Sequence, residues 1–240
     1  MIVRVTRMVM AVAAVVVVGA LTPGGAFASS APVFKPAIEL SALPTGAVAG
    51  STQNAVFNGV ACTGAGDCVA GGYYSDAGTV VDIQAMIAAE TNGKWRAATK
   101  VELPAGAATG VGAQNAAVQA VTCTGPGDCV VGGYYTDTHG ARDTQAMVVT
   151  EKNGSWGAAS ELTLPTGGAT AAGGQSAVVL SLTCTSLGDC TGVGQYKDAG
   201  EGLQAMALTE KNWVWRPASE LTLPSDAATR RRPRALRTPL

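Results

Sequence analysis

Apolar positions along this chain follow two regimes. Met8 to Leu21 is an unbroken, uncharged apolar run of 14 residues. Beyond it, apolar residues come in short β-rich bursts at fixed distances. One burst, opening at Ala55-Val56-Phe57, leads into Cys62. The next, Ala117-Val118-Gln119-Ala120-Val121-Thr122, leads into Cys123, and a third runs from Val178-Val179-Leu180 into Cys184. Each is followed by Thr-x-x-Gly-Asp and a second cysteine, at Cys68, Cys129 and Cys190. The first cysteine of the motif stands at 62, 123 and 184, a spacing of 61 residues both times. A fixed period of this length is the mark of a repeat architecture.

Within each repeat the pattern predicts four short strands. The first ends at the first cysteine. The Thr-x-x-Gly-Asp segment is a turn, with Gly and Asp at positions that tolerate left-handed geometry. A second strand leaves the second cysteine, as in Val130-Val131-Gly132-Gly133-Tyr134-Tyr135. An Asp- and Gly-rich turn follows, around Asp76, Asp137 and Asp198. A third strand carries Gln-Ala-Met at 84–86, 145–147 and 204–206 and runs to Glu90, Glu151 and Glu210. Asn92-Gly93 and Asn153-Gly154 are hairpin signals before Trp95 and Trp156. Asn212-Trp213 replaces them before Trp215. The fourth strand is expected to run from the Trp to the Leu-Pro at 103–104, 164–165 and 223–224.

Four antiparallel strands joined by hairpins describe a β-propeller blade. The expected fold is therefore all-β, a propeller-like array of three four-stranded blades with an extra N-terminal strand. That extra strand is read from Lys35–Pro44, which echoes Arg216–Pro224. The boundaries read as 1–28 signal peptide, 29–54 extra strand and linker, 55–116, 117–177 and 178–229 as the repeats, and 230–240 as an Arg-rich tail. The period exceeds that of an ordinary blade. The excess lies in Gly/Ala segments such as 105–112, expected to be flexible linkers.

Composition sharpens the compartment. Arg4 and Arg7 precede the apolar run, and Ala26-Phe27-Ala28 follows it, which is the layout of a cleaved secretory signal peptide. A span needs about 20 apolar residues, so the run is short for one. The net charge of −1 hides an asymmetry: residues 29–229 carry all 17 acids but only nine of the 16 bases, a net of −8. An acidic body argues against nucleic acid as a partner. The six cysteines all fall in the repeated pairs, Cys62 with Cys68, Cys123 with Cys129, and Cys184 with Cys190. Beside an export signal this is a disulfide framework. Zinc would need four converging ligands per site, and His139 is the one histidine in the chain.

Closed propellers have four to eight blades, so three repeats leave the ends open to three readings. The arginine run after Thr229 is read as a frame shift or truncation, as a purpose-built tail for an anionic surface, or as the end of an open array or of a ring closed by several copies.

The cysteine pair, Gly72, Tyr74 and Trp95, with their equivalents in the later repeats, resemble secreted actinobacterial β-propeller-like repeat proteins. At the level of fold these resemble galactose-oxidase- or sialidase-type propellers. The resemblance covers about residues 33–229 and implies an extracellular propeller-like fold. It carries over no active site, because the sialidase Asp-box is absent and copper ligands of the oxidase type are not present as a set.

Candidate chemistry is sparse. Asp67, Asp128 and Asp189 are read as caps within the cysteine turns. Asp76, Asp137 and Asp198, with His139 and Arg142, are the candidate ligand-binding loop residues. Asp82 and Asp143 add a faint calcium-like pattern without the spacing of a calcium loop. Glu90, Glu151 and Glu210 suit paired-carboxylate glycoside hydrolysis, yet catalysis needs one asymmetric constellation and these come in threes. No cofactor or metal is expected. The expected function is non-catalytic binding outside the cell, to a glycan, a cell-wall component or another extracellular protein, with a homo-oligomer as one form. The alternatives are a fragment of a catalytic, glycan-acting propeller and a truncated product without activity.

Overall fold

The structure is a computed structural model that describes residues 42–78, 80–109, 112–138, 143–169, 174–200 and 202–224. His139, Arg142, the signal-peptide region, residues 29–41 and the Arg-rich tail lie outside the described residues. Three sheets follow one another along the chain. The first is β1 (Ala55–Gly64), β2 (Asp67–Ser75), β3 (Ile83–Thr91), β4 (Lys94–Trp95) and β5 (Thr99–Lys100). The second is β6 (Ala117–Gly125), β7 (Asp128–Thr136), β8 (Thr144–Lys152), β9 (Ser155–Trp156) and β10 (Ser160–Glu161). The third is β11 (Ala177–Ser186), β12 (Asp189–Lys197), β13 (Leu203–Lys211), β14 (Val214–Trp215) and β15 (Ser219–Glu220). Each is an antiparallel meander, and both short last strands pair with the third.

The expected fourth strand is thus broken in two, and the hydrogen bonds show why. Arg96 N–H still donates to Ala89 O, but Ala98 N–H turns away to Ala42 O, in the segment before the blade. Ala159 N–H likewise donates to Glu102 O, and Ala218 N–H to Thr163 O. The middle of each fourth strand is spent on coupling to the preceding segment. Ala42 thus accepts for the first blade as Glu102 and Thr163 do for the second and third.

The cysteine motif is now accounted for residue by residue. Cys62–Cys68, Cys123–Cys129 and Cys184–Cys190 are disulfides between directly opposed register positions of the first two strands. Thr63, Thr124 and Thr185 hydroxyls donate to the carbonyls of Asp67, Asp128 and Asp189. Gly66 has φ +83° and lies so close to the next hairpin turn that a Cβ there would stand 2.6 Å from Gly93 N. Glycine alone fits both demands. The Asp carboxylate, expected to cap its own turn, accepts from the backbone of the neighbouring one: Asn92 N–H on Asp67, Asn153 N–H on Asp128, Asn212 N–H on Asp189. Within its own turn Asp189 also accepts from the Ser186 hydroxyl.

Two cores lie between blades. Val69, Ala85 and Ile87 of the first blade cluster with Val118, Val131, Met147 and Val149 of the second. Val130, Ala146 and Val148 of the second cluster with Val179, Leu182, Met206 and Leu208 of the third. Each buried Val or Leu is worth about 1.5–3 kcal/mol, so burial between blades, more than the two-residue strands, holds the array. Trp156 and Trp215 pack against these two cores, and Met86, Met147 and Met206 are fully buried. The core reading of Trp and Met holds at those positions.

The Gly/Ala linker is a structured connection rather than a loose one. Pro104 to Ala107 forms a turn, and Ala107 is buried in the first core. Ala108 N–H donates to Thr136 O and Thr138 N–H to Gly106 O, pinning the linker to the second turn of the next blade. The buried Gln114 completes it, accepting from Thr136 N–H and donating to Ala108 O.

Candidate functional site

The second-turn aspartates are brought to equivalent places, one per blade, but not to one another. Asp76 accepts from Asp82 N–H at 3.1 Å and from Gln84 Nε2 at 3.1 Å. Asp137 accepts from Gln145 Nε2 at 2.7 Å, and Asp198 from Gly202 N–H at 2.8 Å and Gln204 Nε2 at 2.7 Å. The amide donors hold the Asp198 carboxyl below the usual aspartate pKa. These carboxylates hold the loop onto the Gln-Ala-Met strand. Asp82 and Asp143 reach the next blade instead, accepting from Gln114 N–H and Gln175 N–H. Among the described residues, no group of three or more His, Cys, Asp or Glu is placed to hold a metal ion.

Asp76 and Asp82 line an open hollow of about 720 Å³ with Gln84, Lys100 and Gln114. Gln84 Oε1 is buried there without a partner. One repeat later the equivalent Gln145 oxygen accepts from Gln175 Nε2 at 2.7 Å. Gln114, the equivalent residue in the first repeat, instead donates its Nε2 to Ala108 O and Thr136 O, which leaves Gln84 Oε1 unmet.

A tighter cleft of about 380 Å³ opens between the first two blades at their disulfide ends. Its lining includes Val69, Ala89, Cys68 and Cys129, with Asp67 and Arg96 among the polar residues. Gly154 and Pro126 also line it. Glu151 lines it as well, although only 6 % exposed, and its Oε2 has no hydrogen-bond partner. Burial, then the nearby Asp128 carboxylate, raises the Glu151 pKa above the ordinary glutamate value. Glu210 repeats the arrangement in the third blade: 4 % exposed, Oε2 unpartnered, pKa raised by burial and then by Asp189.

The surroundings of the two glutamates differ. Where the first cleft has Pro126 and Gly154, the next repeat has Leu187, partly buried against the second core, and Trp213. Trp213 adopts φ 69°, a left-handed conformation rare for a bulky residue, at the position where the other repeats use glycine. Its ring lies against Gly188, and the Lys152 ammonium sits 4.2 Å from the ring centroid. Thr91 occupies the Lys152 position in the first blade.

Sequence reasoning gave Glu151 and Glu210 little weight because they repeat. What it lacked was burial, which distinguishes an inert surface carboxylate from an unpartnered one. It named the repeated tyrosine but not what it does: Tyr135 O–H donates to Glu161 Oε2 and Tyr196 O–H to Glu220 Oε2, both at 2.6 Å. The first repeat has Lys100 instead of that glutamate, and burial followed by Asp76 pushes the Tyr74 pKa up to about 12. The break from Asn-Gly to Asn-Trp was the visible signal for Trp213.

These features define a class, the disulfide-stapled all-β repeat protein with propeller-like blades. No protein-family model matches the chain, and none of the curated proteins matches it. Three disulfides suit an oxidising, extracellular setting. No helix among the described residues is long and apolar enough to cross a membrane.

Proposed function

We propose that this is a secreted, non-catalytic binding protein that takes its ligand in the cleft between its first two blades. The observation that carries this is the unpartnered, buried Glu151 carboxylate oxygen in a cleft with an otherwise largely apolar lining. Leaving a buried acceptor unsatisfied costs about 1–3 kcal/mol. A ligand donor entering the cleft recovers that energy. The volume falls at the small end of ligand sites, which span about 300–1,000 Å³. The ligand is a glycan, a wall component or part of an extracellular protein.

The test transplants the neighbouring repeat's rim. Thr91→Lys with Gly154→Trp places a lysine and a tryptophan where Lys152 and Trp213 stand one blade later, and Gly127 supplies the bare backbone that Gly188 does. Purified protein is screened by calorimetry against wall fragments, oligosaccharides and extracellular peptides. The expected result is saturable binding by the wild type, lost in the double variant, with the ligand recovered unchanged.

A second reading rests on the same residue. A glutamic acid whose pKa is raised by burial, with Asp67 lining the same cleft, is the kind of carboxyl pair a glycan-cleaving enzyme uses. Release of new reducing ends from the oligosaccharides would replace the binding reading with this one.

A further inference from the structure

We propose that the first cleft binds a lysine-like amino acid, its side-chain ammonium group on Glu151 and its carboxylate at Arg96. The inference rests on the binding reading above and adds the chemistry of the ligand. Glu151 lines the cleft and holds a buried carboxylate oxygen that no protein donor meets. An ammonium group answers that need best, since charge-assisted hydrogen bonds are about twice as strong as neutral ones. The low-dielectric lining of Val69, Ala89 and the cystine sulfurs strengthens the pairing further.

The other charged lining residues are of both signs: the half-buried Asp67 and Glu90 also line the cleft, and among the described residues Arg96 is its one cationic lining residue. Arg96 lines the cleft, is exposed, and makes no ion pair among the described residues. Lys94 lies beside it around an adjoining hollow that both residues line. Carboxylates with one guanidinium beside them match a ligand that carries both ammonium and carboxylate groups, and the planar guanidinium is suited to a carboxylate. The second cleft provides an internal contrast. Its rim carries the chain's own ammonium, Lys152, stacked on Trp213, where the first cleft has Thr91 and Gly154. The first cleft is the one left open to a cation from outside.

The experiment is calorimetric titration of the full-length protein with L-lysine, Nε-acetyl-lysine and lysinamide. Lysine is expected to bind saturably, with about tenfold or greater weakening on either acetylation or amidation, the scale of one lost charge-assisted contact. In Glu151→Gln the acetylation penalty should vanish, and in Arg96→Gln the amidation penalty should vanish. Each reads one end of the ligand separately, which a purely structural role would not do. The proposal is overturned if lysine fails to bind the wild type, if the acetylated form binds equally well, or if a neutral sugar occupies the cleft instead. If lysine fails while another ligand binds and is blocked by the Thr91→Lys/Gly154→Trp pair, the binding reading survives and this one does not. If nothing binds, both fall.

Discussion

The second and third blades are built from the same pattern, yet the faces they turn away from the N-terminus differ where another blade would dock. On the second blade, Gly132 is a recess: a Cβ there would lie 2.7 Å from Val179 Cγ1 and 2.8 Å from Leu182 Cδ1 of the third blade. Gly71 gives the first blade the same recess, with Val118 Cγ1 at 2.3 Å from an added Cβ. On the third blade the equivalent residue is Val193, 45 % exposed. The carboxylates that reach forward, Asp82 and Asp143, become Gly202. Tyr73 and Tyr134 become Gln195. A face that receives a blade and a face that does not are thus written into the side chains at two or three positions of an otherwise shared repeat.

The largest expected effect comes from exchanging the recess. Gly132→Val drives a branched side chain into Val179 and Leu182, and overpacking of that kind costs about 1–3 kcal/mol. At this length each kcal/mol lowers the melting temperature by about 2–4 °C. Val193→Gly removes a half-exposed side chain and costs about 0.5–1 kcal/mol, the usual glycine cost in a regular element. Equal losses in the two variants, measured by thermal unfolding, would erase the distinction between the faces.

The same geometry bears on assembly. A second copy docking Phe57 and Val60 onto the third blade, as Val118 and Val121 dock on Gly71, would meet the Val193 side chain. The expected state in solution is a monomer, read by light scattering. A defined dimer with its interface at Val193 would mean that this face receives a partner after all.

Next in size are the two buried glutamates. Glu151 lines the cleft between the first two blades, Glu210 is its equivalent in the third, and both have pKa values raised by burial in the folded state. Between the unfolded value, near 4.5, and the raised folded value, the folded protein holds more protons than the unfolded one. Stability therefore falls as pH rises through that window. Glu151→Gln and Glu210→Gln should each raise the melting temperature at neutral pH, with the gain disappearing below about pH 4.5. The charged group that acts on Glu151 is Asp128; Asp67, Glu90 and Arg96 line the same cleft. Only Glu151→Gln should alter ligand binding. A gain that persists at acid pH would mean that the carboxyls are not the source.

Much of this was legible beforehand, for physical reasons. A 61-residue period, β-rich bursts and Asn-Gly turns specify antiparallel strands locally, and opposed cysteines specify their register. The broken fourth strand was not legible, because its middle donates to a neighbouring blade and no local pattern records such a partner. The ordered linker escaped notice for a related reason: Ala107 is small, and its burial depends on what the next blade presents. Glu151 looked like one of three equal copies. Its distinction comes from Pro126, Gly154 and Arg96 around it, which are drawn from both blades.

The smallest expected effect concerns the Lys152–Trp213 contact, which ties the third blade's turn back to the second. A cation over an exposed indole is worth about 0.5–1 kcal/mol, so Lys152→Ala should lower stability by that amount. Trp213→Gly loses the same contact but restores the residue best suited to φ 69°. The two effects oppose each other, and the melting temperature should stay nearly unchanged. In the double variant Lys152→Ala/Trp213→Gly the lysine adds no further loss, because its partner is already gone. A full additive loss there would show that Lys152 stabilises the blade through some group other than the indole. A large loss in Trp213→Gly alone would show that the ring does more than hold the ammonium, by covering the turn around Gly188 against which it packs.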